Sequence, residues 1–212
     1  MELLALTVGP IEENCYFLIG ENNRNTIIFD PGADADQIKS VVAVNNLNPV
    51  AIVLTHAHFD HIGAVDEIRE EYRIPLYQSS IEKDWLTDPM LNGSGGHPGL
   101  EPITVEKPAD FYLDEMGPCQ IGEFTFDLQH IPGHSPGSLV FIFKEKGFAI
   151  VGDVIFQGSI GRTDFPYGSH EQLIAGINRY ILPLPGETTL FSGHGSPTTV
   201  QEEKESNPFL NR

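Results

Sequence analysis

The stretch Val50-Ala51-Ile52-Val53-Leu54-Thr55-His56-Ala57-His58-Phe59-Asp60-His61 decides how the rest of this chain is read. Its first six residues are apolar or β-branched, the composition of a buried strand. The next six hold three imidazoles and a carboxylate, poor material for a core and odd for a surface. Imidazole nitrogen and carboxylate oxygen are the donors that a borderline cation such as zinc accepts. Ile62 to Tyr72 then reads as a helix, so the donors occupy the turn at a strand's C-terminal end. Ligands of α/β proteins bind at such turns. The plain alternative is a capping turn that happens to be rich in histidine.

Three further donors sit in turns of the same kind. His134 lies in Ile131-Pro132-Gly133-His134-Ser135-Pro136-Gly137, after the strand-like run from Phe124 to Ile131. Asp153 follows Gly152 and the apolar run Phe148-Ala149-Ile150-Val151. His194 lies in Gly193-His194-Gly195, just after Thr189-Leu190-Phe191. The neighbouring glycines let backbone crowd such a site. Singly, each donor is an ordinary turn residue; four strand-end clusters in one chain point to a metal centre.

This set resembles the metallo-β-lactamase fold superfamily, from about Leu3 to Asn207-Pro208-Phe209-Leu210. The family's H-x-H-x-D-H motif and its later single His, Asp and His ligands are matched at every position. The resemblance implies that His56, His58 and His134 hold one metal, that Asp60, His61 and His194 hold a second, and that Asp153 bridges them. Two divalent ions follow, with zinc as the first expectation and iron or manganese as alternatives. The implied fold is α/β (α+β), a four-layer αββα sandwich of two mixed sheets flanked by helices, as a single domain over residues 1–212. Asp30-Pro31-Gly32 matches the family too, which places Asp30 beneath the metal loop. The same three residues also make an ordinary turn, and the two roles are compatible.

Leu3 to Val8, Asn14 to Gly20 and Thr26 to Asp30 read as an antiparallel meander. A helix is expected from about Asp34, with Asp34 as its cap and Ile38, Val41 and Val42 on one face. Ser169 opens a later helix, with Gln172 completing a capping-box pattern. Leu173, Ile174, Ile177 and Ile181 recur along it at helical spacing and belong to the core. Thr87 to Lys107 breaks the rhythm, too rich in Gly and Pro for a helix and too long for an ordinary connection. Such loops are lids, binding loops or disordered segments. We expect an active-site loop over 87–107, anchored by Trp85 and Leu86 and folded over the metal centre. His97 within it is a candidate substrate contact, although a lone loop histidine is more often solvated. His130 reads as a strand residue near the site and His170 as part of a helix's first turn.

At 212 residues the chain suits one sizeable core. Its formal net charge is -18, of which two divalent cations would cancel only four charges. The 12 Lys and Arg residues are scattered, whereas phosphate backbones bind through basic clusters. The expectation is no nucleic-acid partner, which argues against the nuclease branches of the superfamily, and most of the chain's carboxylates serve solubility. No apolar run approaches membrane-spanning length, and Met1-Glu2-Leu3-Leu4 lacks the basic start and long apolar stretch expected of a signal peptide. Cys15 and Cys119 give no disulfide framework, and Cys15 reads as a small buried side chain. The expectation is a cytoplasmic enzyme acting on a small molecule, with its oligomeric state open.

Two cations with open positions can share a water, lower its pKa to about 7 and hold the oxyanion formed on attack. This chemistry requires no Ser or Cys nucleophile. Asp60 and Asp153 would be the catalytic carboxylates, Asp60 orienting the nucleophile and Asp153 setting the spacing of the metals. Gly161-Arg162-Thr163-Asp164-Phe165-Pro166 resembles the segment of glyoxalase II enzymes that carries a basic substrate-gripping residue. Arg162 is thus the candidate for holding a carboxylate of an acyl thioester, and an ion pair with Asp164 is its structural alternative. The runs Gly193 to Thr199 and Asn207 to Leu210 look like the short bacterial glyoxalase II-like branch, which hydrolyses hydroxyacyl thioesters such as S-lactoylglutathione. Longer glyoxalase II enzymes clasp glutathione with a C-terminal helical domain that is not expected here, so the thiol carrier stays open. The main rival is a persulfide dioxygenase using one iron on His56, His134 and Asp153, a two-His, one-carboxylate triad. A lactonase, a lactamase or a non-enzymatic metal-binding module are weaker alternatives.

Overall fold

The computed structural model describes every residue except Asn22, His97, Pro98, Leu100, Asn211 and Arg212. The chain divides into two compact units, Met1–Asp114 and Glu115–Arg212. The first opens with the expected antiparallel meander of β1 (Glu2–Val8), β2 (Glu13–Ile19) and β3 (Asn25–Phe29). Helix α1 (Ala35–Val44) leads to β4 (Asn48–Val53), which lies parallel to β3. After α2 (Phe59–Ile62) and α3 (Val65–Tyr72) come β5 (Leu76–Gln78) and β6 (Phe111–Tyr112), both added in parallel. The sheet is mixed, in the order β1-β2-β3-β4-β5-β6. Phe17, Ile28, Ile52, Leu54 and Leu76 share one buried core with Ile38 and Val42 of α1 and Ile68 of α3.

Two local expectations are corrected. Asp34 precedes α1 but its side chain does not cap it. Its backbone is left-handed (φ 54°) and its Oδ2 accepts the Gly9 N–H at 2.9 Å. The Asp34 carbonyl instead accepts from Gln37 and Ile38. The single helix expected over Ile62 to Tyr72 is two helices, because Gly63 and Ala64 are held by the Asp30–Gly32 turn. The Ala64 N–H donates to the Pro31 carbonyl at 2.9 Å, and a Cβ at Gly63 would come within 2.4 Å of the Gly32 carbonyl oxygen.

The second unit runs β7 (Gly117–Ile121), β8 (Phe124–His130), β9 (Leu139–Phe143) and β10 (Phe148–Gly152) as successive antiparallel neighbours. A small hairpin of β11 (Ile155–Phe156) and β12 (Ser159–Ile160) follows, then α4 (His170–Gly176) with a π-helical turn over Ile177–Ile181. Strand β13 (Thr189–Ser192) pairs in parallel with β10, and β14 (Thr198–Thr199) leads into α5 (Val200–Ser206). This second mixed sheet has the order β14-β13-β10-β9-β8-β7. Ser169 caps α4 as expected, its Oγ accepting the Gln172 N–H at 3.3 Å. Leu173, Ile177 and Ile181 are buried against Val140, Ile142 and Val151, with Ile174 partly buried beside them. Helix α5 is fastened by buried Glu203, whose carboxylate accepts from Thr198 Oγ1, from the Gly158 N–H and from Asn207 Nδ2.

Candidate functional site

Each unit assembles its own set of donors at the C-terminal ends of its strands. In the first unit, β4 ends at Val53 and delivers His56, His58, Asp60 and His61 within one turn and the short helix α2. The His56 ring centroid lies 4.7 Å from that of His58 and 4.1 Å from that of His61. The His61 Nε2 lies 3.4 Å from Asp60 Oδ2. His56, His58 and His61 are all buried, so three imidazoles crowd together with little water between them.

Asp30 sets the orientation of two of these rings. Its Oδ1 accepts the Thr55 N–H at 2.7 Å, and its Oδ2 accepts the Thr55 hydroxyl at 2.6 Å and His61 Nδ1–H at 3.0 Å. A carboxylate can only accept here, so His61 carries its proton on Nδ1 and turns the Nε2 lone pair toward Asp60. With its hydroxyl proton given to Asp30, Thr55 Oγ1 accepts from His56 Nδ1 at 3.1 Å, which fixes the same tautomer in His56. One carboxylate thus orders two imidazoles, the supporting role expected of Asp30. The turn is also tightly built, because a Cβ at Gly32 would come within 1.7 Å of the Asp60 carbonyl oxygen and 2.8 Å of Glu13 Oε2. Glu13 is itself buried, with Oε1 3.7 Å from His61 Nδ1. Burial, then the charges of Glu13 and Asp30, push the nearby Cys15 thiol well above its ordinary value.

In the second unit, His134 follows β8, Asp153 follows β10 and His194 follows β13. His134 Nε2 and His194 Nε2 lie 3.4 and 3.7 Å from the same oxygen, Asp153 Oδ2. The His134 Nδ1–H donates to the Arg162 carbonyl at 2.9 Å, so its Nε2 lone pair faces Asp153. Gly161 makes this approach feasible, since a Cβ there would lie 1.9 Å from the Asp153 carbonyl oxygen and 3.0 Å from His134 Cβ. The Arg162 side chain points outward and pairs with Asp164 through Nε and Nη2 at 2.9 and 2.8 Å. Its guanidinium also lies 4.2 Å from the Phe165 ring centroid.

The long loop is pinned at its base. Trp85 and Leu86 are buried as expected, and the Val105 N–H donates to the Leu86 carbonyl at 2.7 Å. Arg69 of α3 donates to the Lys107 carbonyl, and the Glu106 N–H donates to Asp66. His97 lies outside the described residues. His130 ends β8, with Nε2 2.7 Å from the Pro136 carbonyl oxygen, and His170 opens α4. Sequence reasoning missed Glu13, Thr55, Glu82 and Asn92. Glu82 accepts the Ala57 N–H, and the Asn92 carbonyl accepts the Phe59 N–H. Glu13, Glu82 and Asn92 are single polar residues at a distance from the histidine cluster, without spacing or repetition to signal them, and Thr55, next to His56, reads as the last residue of the strand.

The donor chemistry of both sets suits a borderline divalent cation: imidazoles that are mostly buried, with Nδ1 of His56, His61 and His134 bonded on the far side, and carboxylate oxygens among them. Residues 8–194 match the metallo-beta-lactamase superfamily, and the chain belongs to that superfamily. A protein of Bacillus subtilis (strain 168) named probable metallo-hydrolase YqgX is 46% identical over 211 residues, covering 100% of this chain and 98% of that one. Hydroxyacylglutathione hydrolase GloC of Haemophilus influenzae is 38% identical over 211 residues, covering 100% and 99% respectively. Among solved structures, the BLEG-1 B3 metallo-beta-lactamase has a TM-score of 0.96 at 46% identity over 100% of both chains. A di-iron-bound form of TTHA1623 has a TM-score of 0.80 at 33% identity, over 98% of this chain and 100% of that one. These likenesses bear out the expected α/β class, with mixed sheets and flanking helices. Among the described residues, no helix is long and apolar enough to cross a membrane.

Proposed function

We propose that this metallo-hydrolase cleaves an acyl thioester of the hydroxyacylglutathione type. In this reading the two donor sets serve one dinuclear centre. His56, His58 and His134 would hold one ion, Asp60, His61 and His194 the other, and Asp153 both. When bound, two such ions supply an activated water and charge stabilisation for the oxyanion of acyl transfer. The protein's own groups prepare for this: Asp30 and Thr55 fix the His56 and His61 tautomers, and the Arg162 carbonyl fixes His134. Zinc is the first choice of metal for the imidazole-rich set. The di-iron form of TTHA1623 supports iron as the alternative.

The observation that carries the substrate reading is Arg162. Its carbonyl accepts from His134, a metal ligand in this reading, while its side chain, 65% exposed, stands outward. A substrate carboxylate gripped there would bring the acyl group toward His134. The 38% identity to hydroxyacylglutathione hydrolase GloC supports the same class. Residues 87–107 belong to the proposal as the segment that shapes the substrate pocket, and the whole chain as one functional domain in a cytoplasmic setting. Net charge -18 supports a small molecule over nucleic acid as partner.

A second reading, β-lactam hydrolysis, is favoured by the BLEG-1 likeness. Elemental analysis beside parallel assays of S-lactoylglutathione and a β-lactam separates the two. Two zinc or iron ions per chain, with chelator-sensitive thioester cleavage restored by added metal, support the proposal. Faster β-lactam than thioester turnover replaces it with the second reading, and one iron with oxygen consumption replaces both.

A further inference from the structure

The turn that carries His56 and His58 is gripped from its outer side by a segment without any motif. Glu82 is only 1% exposed, and its Oε2 accepts the Ala57 N–H at 2.7 Å. Ala57 is the residue between His56 and His58. One residue on, the His58 ring centroid lies 5.4 Å from that of Trp85. One further on, the Phe59 N–H donates to the Asn92 carbonyl at 2.9 Å. Asn92 is itself buried and fixed: Nδ2 donates to the Trp85 and Ile103 carbonyls at 3.1 and 2.9 Å, and Oδ1 accepts from the Ser94 N–H and hydroxyl at 3.0 and 2.7 Å. Three successive residues of the turn are therefore each met by the segment from Glu82 to Asn92.

Burying a carboxylate is expensive, and its hydrogen bond to an N–H is charge-assisted and short. Asp30 orders the imidazoles by their Nδ1 atoms; Glu82 orders the peptide that joins two of them. We propose that Glu82 is a positioning residue of the metal centre, holding the Ala57 peptide so that the His56 and His58 rings keep a fixed separation. Trp85 and Asn92 complete the clamp. The proposal rests on the metal-binding reading above. Because the donor is a neutral backbone N–H, the reach of the acceptor oxygen matters more than its charge.

Reach and charge are separable by substitution. Glu82→Gln keeps the length and an acceptor oxygen but loses the charge, whereas Glu82→Asp keeps the charge and falls one methylene short. Zinc affinity is measured against a chromophoric chelator, with the visible spectrum of the cobalt-substituted protein and the urea midpoint of the metal-free protein beside it. Glu203→Gln, a buried carboxylate clasp in the second unit, is the control for stability loss alone. Glu82→Asp should bind zinc about tenfold or more weakly, the scale for outer-shell partners, with a shifted cobalt band. Glu82→Gln should stay within about threefold, and Glu203→Gln should lower the urea midpoint without changing zinc affinity. Should Glu82→Asp not fold, Glu82→Met, which fills the volume without an oxygen, takes its place with the same expectation. Wild-type zinc affinity in the Asp or Met variant overturns the proposal, as does tight binding by Asp with loss in Gln. A wild-type protein that takes up no zinc, iron or cobalt overturns the metal reading instead.

Discussion

Arg162 and Asp164 form a two-bonded ion pair, with Nε and Nη2 of the guanidinium donating to the two carboxylate oxygens at 2.9 and 2.8 Å. The hydrogen bond from Arg162 is the main cause that holds the Asp164 carboxyl below its ordinary value. Both side chains are about two-thirds exposed, 65% and 68%, so water screens the pair and the fold gains little from it. The pair is suited to exchange, in which an incoming carboxylate takes the place of Asp164 on the fork. Arg162→Ala should therefore raise KM for a carboxylate-bearing thioester about tenfold, the low end for a charged hydrogen bond. Metal content should stay unchanged. Steady-state kinetics check this, and an unaltered KM removes Arg162 from the substrate role.

Asp30→Asn is the sharpest probe of the tautomer lock. Asparagine tolerates the left-handed backbone at this position (φ 48°), so the substitution tests the carboxylate and not the turn. The amide has one oxygen where three donors now converge, from the Thr55 N–H, the Thr55 hydroxyl and His61 Nδ1. Metal affinity should fall about 10- to 100-fold. Chelator competition measures it; affinity within about twofold of wild type would sink the lock.

Gly32→Ala and Gly161→Ala add one methyl each where backbone already stands, 1.7 Å from the Asp60 carbonyl oxygen and 1.9 Å from that of Asp153. Neither glycine has a positive φ, so the cost is steric and not conformational. Backbone displacement of that size costs about 1–3 kcal/mol or more. Thermal melts should show both variants destabilised, with metal content falling as the ligand loops shift. Normal melting and full metal loading together count against it.

Asp127 on β8 gives a pH signature of its own. Burial pushes its carboxyl up, but hydrogen bonds from Lys144 and Gln129 outweigh this and hold it below the ordinary 3.8. A carboxylate with a depressed folded-state pKa adds stability above its unfolded value, which is lost as pH falls through the folded one. Lys144 is 62% exposed, so screening limits the pair to about 0.5 kcal/mol. Asp127→Asn should lower the urea midpoint slightly at pH 7, with the gap closing as pH falls below 3.8. A gap of constant size across that range would contradict the assignment.

Much of this was legible because chemistry and chain order coincide at strand ends. His56, His58, Asp60 and His61 fall within one turn, so strand, motif and donor type could be read together. The meander and the Ser169 cap followed from alternation and spacing in the same way. What stayed hidden depends on contacts across long stretches of chain. The break between α2 and α3 is imposed by Pro31 and Gly32, some thirty residues earlier, and Gly63 alone does not announce it. Asp34 carries a capping residue's identity, yet Gly9 claims its carboxylate. Glu82 and Asn92 are hidden for the same reason, since nothing in their surroundings marks a polar loop residue that will be buried against Ala57 and Phe59.

The strand order carries a lesson for handling the protein. One margin of the first sheet is β6, only two residues long, and the second sheet is bounded by equally brief β14 and by proline-bearing β7. Such margins offer little template for intermolecular growth. The opposite margin of the first sheet is β1, seven residues reading ELLALTV, without proline or lysine. Fibril-like addition under heat or agitation should start there, and a lysine at the outward-facing Ala5 is the simplest guard against precipitation.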